Sequence, residues 1–264
     1  MQLYLEYIRN IIQTNLKYRT NFLLGLIGRI IVLFVQYYIW EALLIKDVAT
    51  STGNISFRDM TNYITISTII SVLVSNNLIY DIDSKIKSGQ IAIDLIKPIS
   101  YKTYLFCGVI GDNIYRILFE LVPVIIIGLF VFHLQIPDWT HLFIFAFATV
   151  NAVIIKYLIS FIFGILGFWI VSVWYFSRFL EDLIRIFAGA WIPIWFFPHF
   201  LDRISNFFPF KLIFYVPISI YLGKISIKQS IYFLIEQGFW IVGLYAFSII
   251  VWNAGIKKLV IQGG

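Results

Sequence analysis

Residues 141–176, HLFIFAFATVNAVIIKYLISFIFGILGFWIVSVWYF, decide the fold class, because Lys156 is the only charged residue among them. Roughly 20 apolar residues cross a bilayer as one helix, and this run exceeds that length. The same character extends outward over all 264 residues: 60% are hydrophobic, 19% aromatic and only 13% charged. Mean hydropathy is +0.88. A soluble domain carries about 25% charged residues, and half that share cannot cover a water-facing surface. Disorder is excluded as well, since it needs low hydrophobicity and high net charge. The chain reads as an all-α, polytopic membrane protein: a single transmembrane domain over 1–264, with length for about six spanning helices.

The run 141–176 is long for one span and short for two. It reads as one long helix that turns near Ser177-Arg178, with a fifth span over about 179–197. Upstream lie a first span over about 21–44, interrupted by Arg29 and Glu41, and a polar flank containing Gly53-Asn54. A second, Thr/Ser/Asn-rich span follows over 60–80, and a third over about 110–132 ends in the turn Gln135-Ile136-Pro137-Asp138. Polar residues such as those in the second span face other helices or a wet path rather than lipid. Residues 193–217 hold Pro193, Pro198, Pro209 and Pro217 among many aromatics. Proline breaks helices, and broken helix at membrane depth needs shelter, so 193–225 reads as a re-entrant pair of short helices. A last span covers about 231–252.

Residues 1–19 place Tyr4, Leu5, Ile8, Ile11, Ile12 and Leu16 on one helical face and Glu6, Arg9, Asn10, Gln13 and Lys17 on the other. That pattern suits a helix in the interface plane, or a solvated helix packed on the bundle. It lacks the uninterrupted apolar core of a signal peptide. Net charge is +6. Arg9, Lys17, Arg19, Lys85, Lys87, Lys97, Lys102, Arg178, Lys257 and Lys258 fall on one side of the membrane. Lys46, Arg58, Arg203, Lys211, Lys224 and Lys228 fall on the other. The positive-inside rule then puts both termini in the cytoplasm. These cations meet lipid headgroups and do not imply nucleic acid.

Catalytic motifs are missing. The sequence holds no phosphate-binding loop, zinc pair or nucleophile elbow; Gly223-Lys224 is followed by Ile225, not by a hydroxyl residue. His133, His141 and His199 sit at span ends, and Cys107 is the single cysteine. No catalytic residue, metal site or cofactor site is assigned. Charges within spans are more informative, because each costs free energy unless paired or hydrated. Asp112, Arg116 and Glu120 stand at i, i+4 and i+8, a possible ladder on one face, and Glu181 and Arg185 repeat the i, i+4 spacing. Arg29, Lys156 and Glu236 lack a partner nearby in sequence. A polar path or proton relay is one reading; charges paired between helices to fix packing is the other.

Segment 80–102 suggests a mechanism. Asp81–Lys85 and Asp83–Lys87 are i, i+4 pairs, Ile82 and Ile86 align on one face, and Gly89 stands where a C-terminal helix cap belongs. After it, GQIAIDLIKPIS is an apolar run stopped at Lys97-Pro98. A short cytoplasmic helix of this kind suits a soluble partner's groove, or packs on its own spans.

Several stretches, in order, resemble the bacterial six-helix branch of the ABC-2 type permeases. They are YRTNF (18–22), SGQIAIDLIKPIS (88–100), FW (168–169), AGAWIPIWFFP (188–198), PFKLIFYVPISIYLG (209–223), QGFW (237–240) and the final QGG. Ala188 departs from the small Ser frequent at its position. The resemblance implies an interfacial N-terminal helix, a coupling helix between the second and third spans, and a re-entrant hairpin before the last. It also implies two ATP-binding cassette ATPase subunits per transporter, contacted near residues 81–97 and carrying the ATP and magnesium. A second permease copy or paralogue would pair along the first and fifth spans in a bacterial plasma membrane. The implied role is export of hydrophobic compounds, antibiotics or lipids. The competing function is a proton- or ion-coupled secondary transporter or channel using Glu120, Lys156 and Glu236; such proteins often carry broken helices in both halves, whereas the prolines here cluster in one. A structural or assembly factor is a third reading.

Overall fold

The computed structural model describes residues 2–17, 19–45, 56–97, 100–170 and 173–258, and every regular element among them is helical. Lys46, the Gly53-Asn54 loop signal, Pro98 and the terminal Gln262-Gly263-Gly264 lie outside the described residues. Helix α1 is Gln2–Lys17 and α2 is Arg19–Ile45. Next come α3 (Phe57–Val74), α4 (Leu78–Lys87), α5 (Gln90–Ile96), α6 (Tyr101–Arg116) and α7 (Val122–Phe130). The rest are α8 (Trp139–Ile165), α9 (Val173–Phe187), α10 (His199–Phe207), α11 (Tyr215–Tyr221) and α12 (Ile227–Ile256). Five segments are long and apolar enough to cross a membrane: Leu23–Leu44, Phe57–Lys87, Tyr101–Phe130, Trp139–Phe168 and Ile227–Ile256. A bent pair, His199–Phe207 with Pro209–Tyr221 at 76°, makes a sixth if taken as one span.

Three sequence expectations shift. The third span starts at Tyr101 rather than near Ile110, because Tyr101 stacks on Trp252 of α12 with ring centroids 5.1 Å apart, anchoring the early turns. The long helix of 141–176 is two elements: α8 stops at Ile165 and a 3-10 turn ends at Phe168. Glycines explain the tight join. A Cβ at Gly164 would lie 2.8 Å from Ile82 Cδ1, and one at Gly167 would lie 2.9 Å from Asp83 Oδ1, so α4 crosses against the bare end of α8. Small residues allow such close approach in membranes.

The expected fifth span over 179–197 also breaks. Helix α9 ends at Phe187, and the chain turns at Gly189, whose φ of 75° suits glycine. The freed carbonyls find partners. Tyr63 Oη donates to Gly189 O (2.6 Å), Ser67 Oγ to Ala190 O (2.7 Å), and the Tyr215 amide to Ala188 O (3.0 Å). Gln237 on α12, fully buried, donates to Ala148 O (3.0 Å) and Leu212 O (2.9 Å) and accepts from Asn151 (3.2 Å). Irregular backbone at membrane depth needs such satisfaction.

Helix α1 rests on α6. Tyr7 stacks on Tyr104 at 4.2 Å, and the bare flank of Gly111 sits against Ile11 and the Ile8 carbonyl. The α4–α5 segment, α1, the start of α6 and the end of α12 therefore share one end of the bundle. At the opposite end Tyr221 Oη donates to Gln135 O (2.8 Å) and Lys224 pairs with Asp59 (2.6 Å).

Candidate functional site

Two polar regions stand out, one at the α4–α5 end and one between spans. Gly89, with φ 73°, lets the chain turn from α4 directly into α5, its N–H donating to Ile86 O (3.2 Å). Asp83 and Lys87 pair at 2.6 Å, as the i, i+4 spacing predicts. The pairing expected of Asp81 with Lys85 gives way to a longer-range one. Lys85 reaches across to Asp94 (2.8 Å), which also accepts from Lys97 (2.7 Å). Asp94 is 4% exposed. Burial pushes its carboxyl up, but the Lys85 and Lys97 ammonium groups outweigh burial and hold it below its ordinary range. Bonding to Asp94 raises the Lys97 ammonium in turn.

Ile82 corrects the picture of an outward knob, since it is fully buried against Gly164, and Ile86 lies over Gly167. The apolar side of α4 is spent on its own bundle. What faces outward is α5: Ile93 is 56% exposed and Ile96 83%. Sequence reading gave Asp94 no role. The available signal was a lone carboxylate in an apolar run, with Lys97 at i+3.

Helices α2, α3, α8 and α9 border a half-open cleft of about 410 Å³. Arg29, Gln36, Ser67, Thr68, Ser71, Ser75, Lys156, Glu181 and Arg185 line it, together with Gly25, Gly28, Val32, Ile184, Trp191 and Phe214. The Asp112–Arg116–Glu120 ladder does not form. Asp112 and Arg116, both within regular α6, take partners elsewhere. Pro123 near the start of α7 goes with a π-helical turn over Ile117–Leu121 that carries Glu120 out of step with Arg116. Proline removes a backbone donor, and the wider turn breaks the 3.6 register. Each ladder member bonds to a different helix. Glu120 pairs with Arg29 (2.7 Å), Arg116 donates to the Ser75 carbonyl where α3 gives way to α4, and Asp112 accepts from Asn15 (2.8 Å).

Glu181 does not pair with Arg185; its partner is Lys156 (2.5 Å), which is 2% exposed and also donates to Ser160 (3.1 Å). Glu236 lies elsewhere, 3.5 Å from Lys211. The three in-span charges without a partner nearby in sequence thus have tertiary ones. Arg185 has no carboxylate partner among the described residues, where its neighbouring charge is Arg29.

No curated protein matches the chain. The model of a family described as ABC-2 family transporter protein matches residues 16–263, and the helical bundle supplies membrane-length elements over the same range. With nearly its whole length accounted for, the chain belongs to the ABC-2 transporter family, and it is a membrane-spanning transport permease.

Proposed function

We propose that the chain is the permease of an ATP-driven exporter that moves a hydrophobic or amphipathic compound (drug, antibiotic or lipid-like) out of a bacterial cell. Two ATP-binding subunits carry the ATP and magnesium, and a second permease copy or paralogue completes the membrane part. Both termini and the 80–102 segment face the cytoplasm. Helix α1, with Leu3 and Leu5 exposed, lies at the headgroups, and 193–225 is the extracellular re-entrant region. The exposed apolar face of α2, including Ile31, Val35 and Tyr38, is the surface for the second permease.

One observation carries this reading: α5 presents Ile93 and Ile96 outward while a buried carboxylate ties it, through Lys85, to α4. A push on α5 is then transmitted to α4, and through Ile82 and Asp83 to the glycine end of α8. Bistable rigid-body rearrangement of packed helices is the physical requirement for alternating access. The ion-coupled alternative gains nothing from the geometry, since Glu120, Lys156 and Glu236 belong to three separate pairs.

Co-purification with the co-expressed ATP-binding subunit tests the assignment. The double variant Ile93→Asp/Ile96→Asp abolishes the complex, whereas Ile82→Val, which only trims a core contact, retains it. An intact complex in the double variant removes α5 as the coupling element.

A further inference from the structure

We infer that the cleft between α2, α3, α8 and α9 is a binding site for the anionic group of an amphiphile, with Arg185 as the receiving cation. This inference deepens the export reading and rests on it for the identity of the cleft as part of the cargo path.

The charge balance comes first. Arg29 is matched by Glu120 and Lys156 by Glu181, which leaves Arg185 without a carboxylate partner among the described residues. Arg116, bonded to the Ser75 carbonyl rather than to an acid, adds a second uncompensated positive charge beside Arg29. Arg185 is exposed on α9, which is not among the membrane-length helices, so its positive charge stands open at the cleft rather than buried in the bundle. An anion offsets it; a cationic ligand adds repulsion. Guanidinium presents a planar donor fork that matches carboxylate or phosphate oxygens two at a time.

Shape comes second. The cleft's about 410 Å³ lies within the ~300–1,000 Å³ of small-molecule sites. Beside the charged groups it has an apolar part at Val32, Ile184, Trp191 and Phe214. On α2, a Cβ added at Gly25 or Gly28 would meet nothing within 4 Å, so the helix is bare where a tail would lie. A polar floor with one unmatched guanidinium and an apolar wall describe a carboxylate- or phosphate-headed amphiphile, whether an exported compound or a membrane lipid.

The test uses the permease with its ATP-binding subunit in phosphatidylcholine nanodiscs without nucleotide, reading quenching of Trp191. Tryptophan 191 is one of 8 tryptophans, so Trp191→Phe defines its share of the signal. Probes are a bromine-tailed fatty acid at alkaline pH, a bromine-tailed trimethylammonium amphiphile, and brominated phosphatidylglycerol built into the disc. The fatty acid quenches saturably. Arg185→Gln weakens that binding by at least about tenfold, the equivalent of ~1.4 kcal/mol; Arg185→Lys, which keeps the charge and loses the fork, weakens it by less, and Gly28→Leu, which fills open space, abolishes it.

Quenching by phosphatidylglycerol alone assigns the site to a lipid headgroup; quenching by the free acid assigns it to a soluble amphiphile. Equal quenching by the trimethylammonium probe, or unchanged affinity in Arg185→Gln, overturns the inference. Arg185-dependent binding without a co-purifying ATP-binding subunit sinks the export reading and leaves this site standing.

Discussion

Helix α2 and the run that follows it, Phe57–Lys87, reverse the habit of soluble proteins. The 18-residue apolar stretch that defines Leu23–Leu44 has the higher mean hydropathy, 1.8, and 11% of it is buried; the one that defines Phe57–Lys87 has 1.4, and 67% of it is buried. The difference lies in what each helix offers. Helix α3 brings Asn62, Ser67 and a series of threonines inside. Thr61, Thr65 and Thr68 return their hydroxyls to carbonyls one turn back, while Tyr63 and Ser67 cross to the broken backbone after α9. Lipid is as apolar as leucine, so no hydrophobic force drives apolar helices together, and polar and small residues hold the bundle instead. In this molecule the interior is the more polar place, and the outer face of α2 is left to lipid or a second subunit.

The sharpest way to break that contrast is to unpair an interior charge. Glu181→Gln leaves Lys156, 3% exposed in its side chain, without a counter-ion and lowers stability by about 3–5 kcal/mol. The double variant Lys156→Met/Glu181→Gln recovers most of the loss, measured as the thermal unfolding midpoint in detergent. A double variant as unstable as the single one shows that the pair's charge is not the issue. Gln237→Leu comes next. It takes the side-chain donor from the Leu212 carbonyl and the acceptor from the Asn151 amide at ~1–3 kcal/mol each, while Ala148, inside α8, keeps its intrahelical bond, and amide exchange then rises over 209–221 before it rises elsewhere.

Glycines give the comparison its own pair of probes. Gly164→Ala forces a Cβ to 2.8 Å from Ile82 Cδ1 and destabilises by about 1–3 kcal/mol as overpacking does. Gly28→Ala on α2 meets nothing within 4 Å and leaves the unfolding midpoint unchanged or higher. Equal losses at the two sites would mean that α2 is as tightly packed as α4.

The smallest effect belongs to the α4–α5 brace. Because the Asp94 carboxyl is held below its ordinary range, its stabilisation is present above about pH 4, the ordinary aspartate value, and fades as pH falls through the depressed folded value. Amide exchange in α5 therefore accelerates only under acid conditions. Asp94→Asn, costing about 1 kcal/mol, removes that pH dependence.

Spans two, three and six were legible in outline, since α3, α6–α7 and α12 answer to apolar runs bounded by polar turns. The π turn at Ile117–Leu121 was not, and with it went the Arg116–Glu120 step of the ladder, because that step presumes an unbroken 3.6 period. Lys85 was given the wrong partner because Asp81 and Asp94 both lie within reach of its long side chain. Only the turn at Gly89 brings Asp94 close enough to win.

By itself the sequence determined that the chain is helical, that it lives in a bilayer and which side chains are costly there, since these follow from composition and period. Only the tertiary structure decided which charge neutralises which. It also decided that Ile82 turns inward while Ile93 and Ile96 stay outside, and that Arg185 is left over. The reason is that a membrane charge is stabilised by whatever opposite charge comes within a few ångströms, and between different helices that distance is set by glycine contacts and chain breaks that no local pattern encodes.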